Sequence, residues 1–179
     1  MPEKTKDPGH KWVFRAVLLA FLLVASIWAA SYFAAEARVR RATVRVVALA
    51  EKPGEESPVS LGLAANRLGK FLATNAVLEL DDYGVLATGR SEIVSLFAQI
   101  RGSLAILAFE HPEITAVKTG PGAVEAHVAA RYRLEADAGE AAEGDGKAEL
   151  HWIKGKDGWQ IVRAVVHAEE GAKVPGGWK

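Results

Sequence analysis

Val124-Glu125-Ala126-His127-Val128-Ala129-Ala130-Arg131-Tyr132-Arg133-Leu134-Glu135 is the stretch on which the fold turns. Val124, Ala126, Val128, Ala130, Tyr132 and Leu134 alternate with Glu125, His127, Ala129, Arg131, Arg133 and Glu135, and this period of two places each set on its own face of a strand. Downstream, Ala136 to Gly146 is acidic and Gly-rich and reads as a long, flexible hairpin loop, followed by a strand over Lys147 to Lys154. Gly155-Lys156-Asp157-Gly158 carries a favoured Asp-Gly turn step, after which Trp159 to Val166 returns as the final strand. Leu150 and Trp152 alternate with His151 and Ile153, so both faces of this last pair are bulky. One face is expected under helices and the other against a pocket wall or a partner.

Upstream the period changes to that of helices. Leu61, Ala64, Ala65, Leu68, Phe71 and Leu72 recur at three- and four-residue steps and predict a helix that Ser57 or Ser60 caps and that ends near Thr74. Ala76 to Leu80 and Val85 to Ala87 flank Asp81-Asp82-Tyr83-Gly84, which is hairpin chemistry. Ser91 and Glu92 open a further helix with Ile93, Leu96, Phe97, Ile100, Leu104 and Leu107 on its buried face. Phe109 to Glu113, with Pro112 inside it, reads as a connector to the sheet. Before all of these, Val39, Ala42, Val46 and Leu49 line one face of a segment from Glu36 to Lys52. That helix is expected to pack on its own domain, the alternative being a self-associating stalk.

The first part of the chain has a different character. Ala16 to Ala35 contains no charged residue, His, Gly or Pro across 20 positions, and at about 1.5 Å per residue such a helix covers the roughly 30 Å hydrocarbon core of a bilayer. Trp12 at one end and Trp28 with Tyr32 at the other suit the headgroup layers. A cleaved signal peptide is the rival reading, given Lys4, Lys6, Lys11 and Arg15 and the Ala35-Glu36-Ala37 triplet. The apolar run, however, is longer than the usual ~7 to 15 residues. The expected organisation is a disordered tail over 1–11, a transmembrane helix over 12–35, one domain over 36–168 and a flexible tail over 169–179. Four basic residues on each side (Arg38, Arg40, Arg41 and Arg45 after the run) leave the positive-inside count tied. The short amino tail favours an amino terminus in the cytoplasm and a domain outside it.

Composition narrows the chemistry. Lys plus Arg and Asp plus Glu are equal at 22, so no basic surface argues for nucleic acid. The chain has no cysteine, which removes disulfides, thiolate catalysis and Cys-based zinc sites. No cofactor motif or metal-ligand spacing is present in the sequence, so neither a cofactor nor a metal is expected.

Helices, a hairpin, a third helix and long strands make an α+β domain. Phe71 to Leu80 (FLATNAVLEL), Gly89-Arg90-Ser91-Glu92-Ile93 and Gly158-Trp159-Gln160-Ile161-Val162 together resemble the nuclear transport factor 2-like superfamily in its SnoaL-like branch, over about Arg41 to His167. The resemblance implies a cone in which three helices pack into a curved antiparallel sheet and leave a pocket at the open end. It also implies a choice of roles, because such cones serve ketosteroid isomerases, epoxide hydrolases and dehydratases as well as non-catalytic binding and assembly modules, some of them behind a single membrane helix in secretion systems. Fold alone does not choose among these.

The candidates for proton transfer are His151, Asp82 and His127. His151 qualifies if its strand face is the concave one, whereas Asp82 sits in turn chemistry and His127 shares a strand face with Glu125 and Arg131. His111, beside Glu110 and before Pro112, reads as part of the connector. Trp152, Trp159, Tyr132 and Phe97 are the expected pocket lining. The leading expectation is a membrane-anchored, non-catalytic binding or assembly module. The alternatives are a small-molecule isomerase, dehydratase or hydrolase using a His/Asp pair, and a carrier of an apolar ligand. Expected partners are the lipid bilayer, a second copy or another membrane protein, and an apolar small molecule, with no nucleic acid.

Overall fold

The computed structural model describes residues 9–168, except for the side chains of residues 9–15, 29, 31–33 and 168. Helix α1 (Gly9–Phe33) is followed, across a break at Ala34 with φ −55° and ψ 147°, by α2 (Ala35–Ala50). Then come α3 (Pro58–Gly69), strands β1 (Leu72–Leu80) and β2 (Gly84–Thr88), helix α4 (Arg90–Ser103), and strands β3 (Leu104–Gly120), β4 (Ala123–Ala136), β5 (Ala141–Gly155) and β6 (Gly158–Ala168). The six strands form one sheet in the order β2-β1-β6-β5-β4-β3. The break between the first two helices thus lies at Ala34. The expected tail over 1–11 is helical from Gly9 on, and the remaining tail residues lie outside the described ones. Among the described residues, no helix is long and apolar enough to cross a membrane.

Helices α2, α3 and α4 cover one side of the sheet. The core joins Val39 of α2, Leu68 of α3 and Ile93 of α4 to Leu72, Ala76, Val124, Ala126, Leu150, Trp152 and Ile161 of the strands. Each large apolar side chain fully buried there contributes about 1.5 to 3 kcal/mol of transfer free energy. Val39 and Thr43, one turn apart, are both completely buried, so α2 packs on its own domain as expected. Ser57 caps α3, its hydroxyl accepting from Ser60 N at 3.2 Å, with Pro58 at the first helical position.

Four boundaries differ from the sequence expectation, each for a tertiary reason. Helix α3 stops at Gly69 rather than near Thr74, because Phe71 and Leu72 enter the sheet: Ile161 N donates to Phe71 O at 2.7 Å, and β1 runs parallel to β6. The sheet is therefore mixed, with all other pairings antiparallel. Helix α4 begins at Arg90 with Gly89 at its N-cap (φ 89°), and the Glu92 carboxylate accepts from Thr88 N at 2.9 Å. It ends at Ser103, and Leu104 and Leu107 belong to β3, where Leu107 exchanges backbone hydrogen bonds with Lys52 at 2.7 and 2.8 Å. The expected connector around His111 is the middle of that same strand. A bulge between Glu110 and Glu113 absorbs His111, at φ 48°, and Pro112, whose missing N–H would interrupt a regular ladder.

The fourth difference is the largest. Ala136 to Gly146 is no long loop, because β5 begins at Ala141 and pairs with β4 from Glu135↔Ala141 onward. The Tyr132 ring explains the glycines: it lies across β5, so a Cβ at Gly144 would stand 2.8 Å from the Tyr132 hydroxyl and one at Gly146 would stand 3.3 Å from its ring. These glycines make room for an aromatic side chain on the adjacent strand.

The helices are locked at one end by exchanged caps. Arg101 of α4 is buried, and its Nη1 donates to the carbonyls of Leu49, Ala50 and Glu51 at 2.8, 3.1 and 2.6 Å, closing the C-terminus of α2. Its Nε and Nη2 donate to Glu56 at 2.6 and 3.2 Å. Lys52, also buried, returns the arrangement by donating its ammonium to Arg101 O at 3.1 Å and to Leu104 O at the end of α4.

Two stability experiments follow. Replacing Arg101 with Met leaves three helix-end carbonyls and Glu56 without their donor, and is expected to cost about 3 kcal/mol, or roughly 6 to 12 °C in Tm, by thermal melting of the full chain. Gly144→Val is expected to cost about 1 to 3 kcal/mol in the native background and much less in a Tyr132→Ala background. Equal costs in both backgrounds would show that the ring does not set the glycine requirement.

Candidate functional site

The strand alternation sends two different populations of side chains to the two sides of the sheet. On the helix side, Trp152 is 1% exposed and meets Phe71 edge-on, with centroids 6.2 Å apart and planes at 83°. Trp159 packs half-buried against the same core. Phe97, on α4, lies half-buried under the Arg101 guanidinium at 5.8 Å, and Tyr132 lies against Gly144 and Gly146. The four residues expected to line a pocket thus each pack against neighbouring side chains or backbone.

Among the described residues, two grooves are lined mainly by helix residues. One, of about 460 Å³, runs between α3 and the start of α4 and includes Gly69, Lys70, Thr74, Arg90 and Val94. The other, of about 260 Å³, lies beside the exchanged caps and includes Ala48, Leu63, Arg67 and Arg101. Neither is lined by Trp152, Trp159, Tyr132, Phe97 or any histidine.

His127, His151 and His167 are on the opposite side of the sheet. His151 Nδ1 is 3.5 Å from Glu125 Oε2, and the same carboxylate places Oε1 3.1 Å from His127 Nε2. His127 Nδ1 is in turn 3.9 Å from Glu149 Oε1, which lies 3.7 Å from His167 Nε2, and His167 Nδ1 meets Asp81 Oδ2 at 2.9 Å. Imidazoles and carboxylates therefore alternate in one row from β4 across β5 and β6 to the β1–β2 turn. Two of the three proton-transfer candidates, His151 and His127, come together through Glu125. Asp82 does not join them: it sits exposed in the turn, and its neighbour Asp81 makes the histidine contact.

Glu149 and His167 were not singled out by sequence pattern, whereas Asp81 was considered beside Asp82 in the turn and Glu125 as a face-mate of His127. A signal existed in the Asp157-Gly158 turn, which sets the β5–β6 register, but extrapolation from the turn alone pairs His151 with Val162. A bulge between His151 and Trp152 moves the partner to Arg163. The regular β4–β5 register already sets His151 opposite Glu125 on the outer face, and the one-residue shift in β6 brings Arg163 and His167 to that same face.

Chemically, this row can orient imidazole tautomers: Asp81 is hydrogen-bonded to His167, Glu125 stands 3.1 Å from His127, and the contacts at 3.5 to 3.9 Å are electrostatic only. It is partly open to water, the side chains of His127, His151 and His167 being 45, 32 and 32% exposed, although Nε2 of His151 and of His167 is itself buried without a hydrogen bond among the described residues. Proton-transfer sites in enzymes typically combine such groups with desolvation in a cleft. At the same face Arg163 forks onto Glu79 at 3.0 and 2.6 Å. That hydrogen-bonded guanidinium holds the Glu79 carboxyl below its ordinary value, and Glu79 holds Arg163 above its own. Among the described residues, no group of three His, Cys, Asp or Glu is arranged to hold a metal ion.

No protein-family model and no curated protein matches this sequence. Solved structures do match in shape. An NTF2-like protein with a cystatin-like fold from Novosphingobium aromaticivorans superposes with a TM-score of 0.53 at 14% identity, over 94% of both chains. A protein proposed to be a scytalone dehydratase from the same organism gives 0.55 at 13% identity, over 78% of this chain and 93% of that one. A ketosteroid isomerase-like protein from Erwinia carotovora atroseptica gives 0.50 at 16% identity, over 70% and 95%. At these identities the likeness concerns the fold, which is the α+β, nuclear transport factor 2-like arrangement of helices on a curved sheet.

The Glu79–Arg163 pair makes a pH prediction. Because the folded Glu79 is held below its ordinary value, its stabilising contribution is present above the unfolded value of about 4.3 and is lost as pH falls through the folded one. The Tm difference between the native chain and Glu79→Gln should therefore be small and constant above about pH 5, and should shrink below about pH 4. A difference that grows on acidification would contradict this.

Proposed function

We propose that this chain is a single-pass membrane protein whose cup-shaped domain is a binding or assembly module without catalysis of its own. The observation that carries the second half is the segregation described above. The helix side of the sheet, where a substrate pocket would lie, is packed with Trp152, Leu150, Ile161, Val39 and their neighbours, while His151 and His127 face water on the other side. A group that must move a proton to a bound substrate needs to be within hydrogen-bond reach of it in a shaped cavity.

The first half is supported by α1. Its described side chains are exposed along one continuous stretch: Val17, Phe21, Leu23, Val24 and Trp28 are 61, 70, 61, 64 and 68% accessible. Apolar surface of that extent on every side of a helix requires a cover, and the part of the uncharged run that lies in α1, Ala16 to Phe33, gives about 27 Å of helix for lipid to be that cover. The proposed orientation keeps the amino tail in the cytoplasm and the domain outside. A small-molecule enzyme is the second reading, supported by the names of the dehydratase-type and ketosteroid isomerase-like neighbours.

Purification of the full chain from detergent, alongside His151→Ala, separates the two. A binding or assembly module is expected to stay with carbonate-washed membranes and to elute in a stoichiometric protein complex that His151→Ala retains unchanged. Elution of the chain alone with a bound small molecule, or a turnover that His151→Ala abolishes, would overturn the proposal in favour of a carrier or an enzyme respectively.

A further inference from the structure

Helix α2 carries a basic outer face. Its buried seam is Val39 and Thr43, supported by Ala35, Ala42 and Val46 against the core. At about 100° per residue, the arc facing away from that seam holds Arg38, Arg40, Arg41 and Arg45, with Val44 among them. Arg38, Arg40 and Arg45 are exposed, and Val44 is 50% accessible. Glu36 is the only acidic residue of α2, and it sits in the first turn at the margin of the arc. Among the described residues, no carboxylate forms an ion pair with Arg38, Arg40 or Arg45, whereas Arg101, Arg131 and Arg163 each have one.

This face begins where α1 ends. Ala34 alone separates the two helices, and its extended ψ of 147° breaks the helical direction there. With α1 in the bilayer, the first turns of α2 are held at the headgroup layer by the chain itself. We infer that the outer face of α2 lies on anionic phospholipid, with Arg38, Arg40 and Arg45 on headgroup phosphates and Val44 directed into the interface, so that the domain is held in one orientation instead of swinging on its anchor. The inference rests on the proposed anchor and adds a lipid specificity that the anchor does not supply. Arginine suits phosphate through its planar fork, and each basic residue at an anionic surface strengthens association roughly five-fold, so three together amount to roughly 100-fold. A short amphipathic helix with Arg around an aliphatic residue is a form that interfacial helices take.

The absence of native cysteine allows a direct test. The full chain carrying Val44→Cys, labelled with a polarity-sensitive fluorophore, is placed with discs of phosphatidylcholine alone or of phosphatidylcholine with roughly one-third phosphatidylglycerol. Asp82→Cys, in the exposed hairpin turn, is the reference position. The expected result is co-elution with both discs and a shift to shorter wavelength for Val44→Cys only in the anionic discs. The shift should be lost at about 1 M salt, where the Debye length is about 3 Å, and in Arg38→Gln/Arg40→Gln/Arg45→Gln. Co-elution with both discs but the same emission in each, or a shift that the triple substitution leaves intact, overturns the lipid contact while the anchor stands. Co-elution with anionic discs alone supports the arginine face and overturns the anchor. Failure to co-elute with either overturns both.

Discussion

Two helices and the longest strand of this domain depend on one exchange of cations. Arg101 leaves α4 to satisfy the last carbonyls of α2, and Lys52, just past α2, satisfies the last carbonyls of α4. Helix ends present unpaired carbonyls and the negative end of the macrodipole, so burying two of them side by side would be costly without donors. Here each helix supplies the donor for the other. The exchange also sets the start of β3, because the Lys52 backbone pairs with Leu107 while its side chain reaches Leu104. Glu56 neutralises Arg101 and ties the loop before α3 to the same point. The cost of a buried charge is offset by three carbonyls and a carboxylate in one place, the condition under which buried ionic groups persist.

From that locked end the sheet spreads with its two faces assigned to different tasks. The helix side is apolar and packed, and the other side carries the His151-Glu125-His127-Glu149-His167-Asp81 row and the Glu79–Arg163 fork. Two irregularities produce this assignment. The β5–β6 bulge keeps Ile161 inward beside Trp152 while turning Arg163 and His167 outward to join His151, and the bulge at His111 and Pro112 interrupts the 17-residue edge strand. In solved relatives of shape the same fold accompanies names drawn from dehydratase and isomerase chemistry. In this chain the volume between helices and sheet is taken up by large side chains, Trp152 foremost, and the polar groups of the sheet are displaced to the water side. The proposed assembly role is consistent with that distribution, since an outer polar face and exposed helices are surfaces for contact.

Period and turn chemistry were enough to read much of the architecture. The alternation over Val124 to Glu135, the Asp-Gly turn before Trp159, the Asp-Asp-Tyr-Gly hairpin and the Ser57 cap all lie where local pattern puts them. Errors cluster where a local preference met a long-range partner. Phe71 and Leu72 keep helical spacing but are drawn into the sheet by β6, and Leu104 and Leu107 are drawn out of α4 by the Lys52 contact. Gly144 and Gly146 suggested a loop because a glycine's usual reason is backbone freedom. Their reason here is the Tyr132 ring on the next strand, which no local window contains.

The sequence by itself determined the uncharged run at Ala16 to Ala35, the α+β order of elements and the two-faced character of the strands, because each depends on residues within a few positions of one another. Tertiary structure alone decided that Arg163 and His167 share the face of His127 and His151. A single inserted residue in a strand pair reverses which side the following side chains occupy, and the Asp157-Gly158 turn by itself does not place that insertion. The exchanged caps belong to the same category, since Arg101 and Lys52 are 49 positions apart and become partners only when two helix ends are buried against one strand.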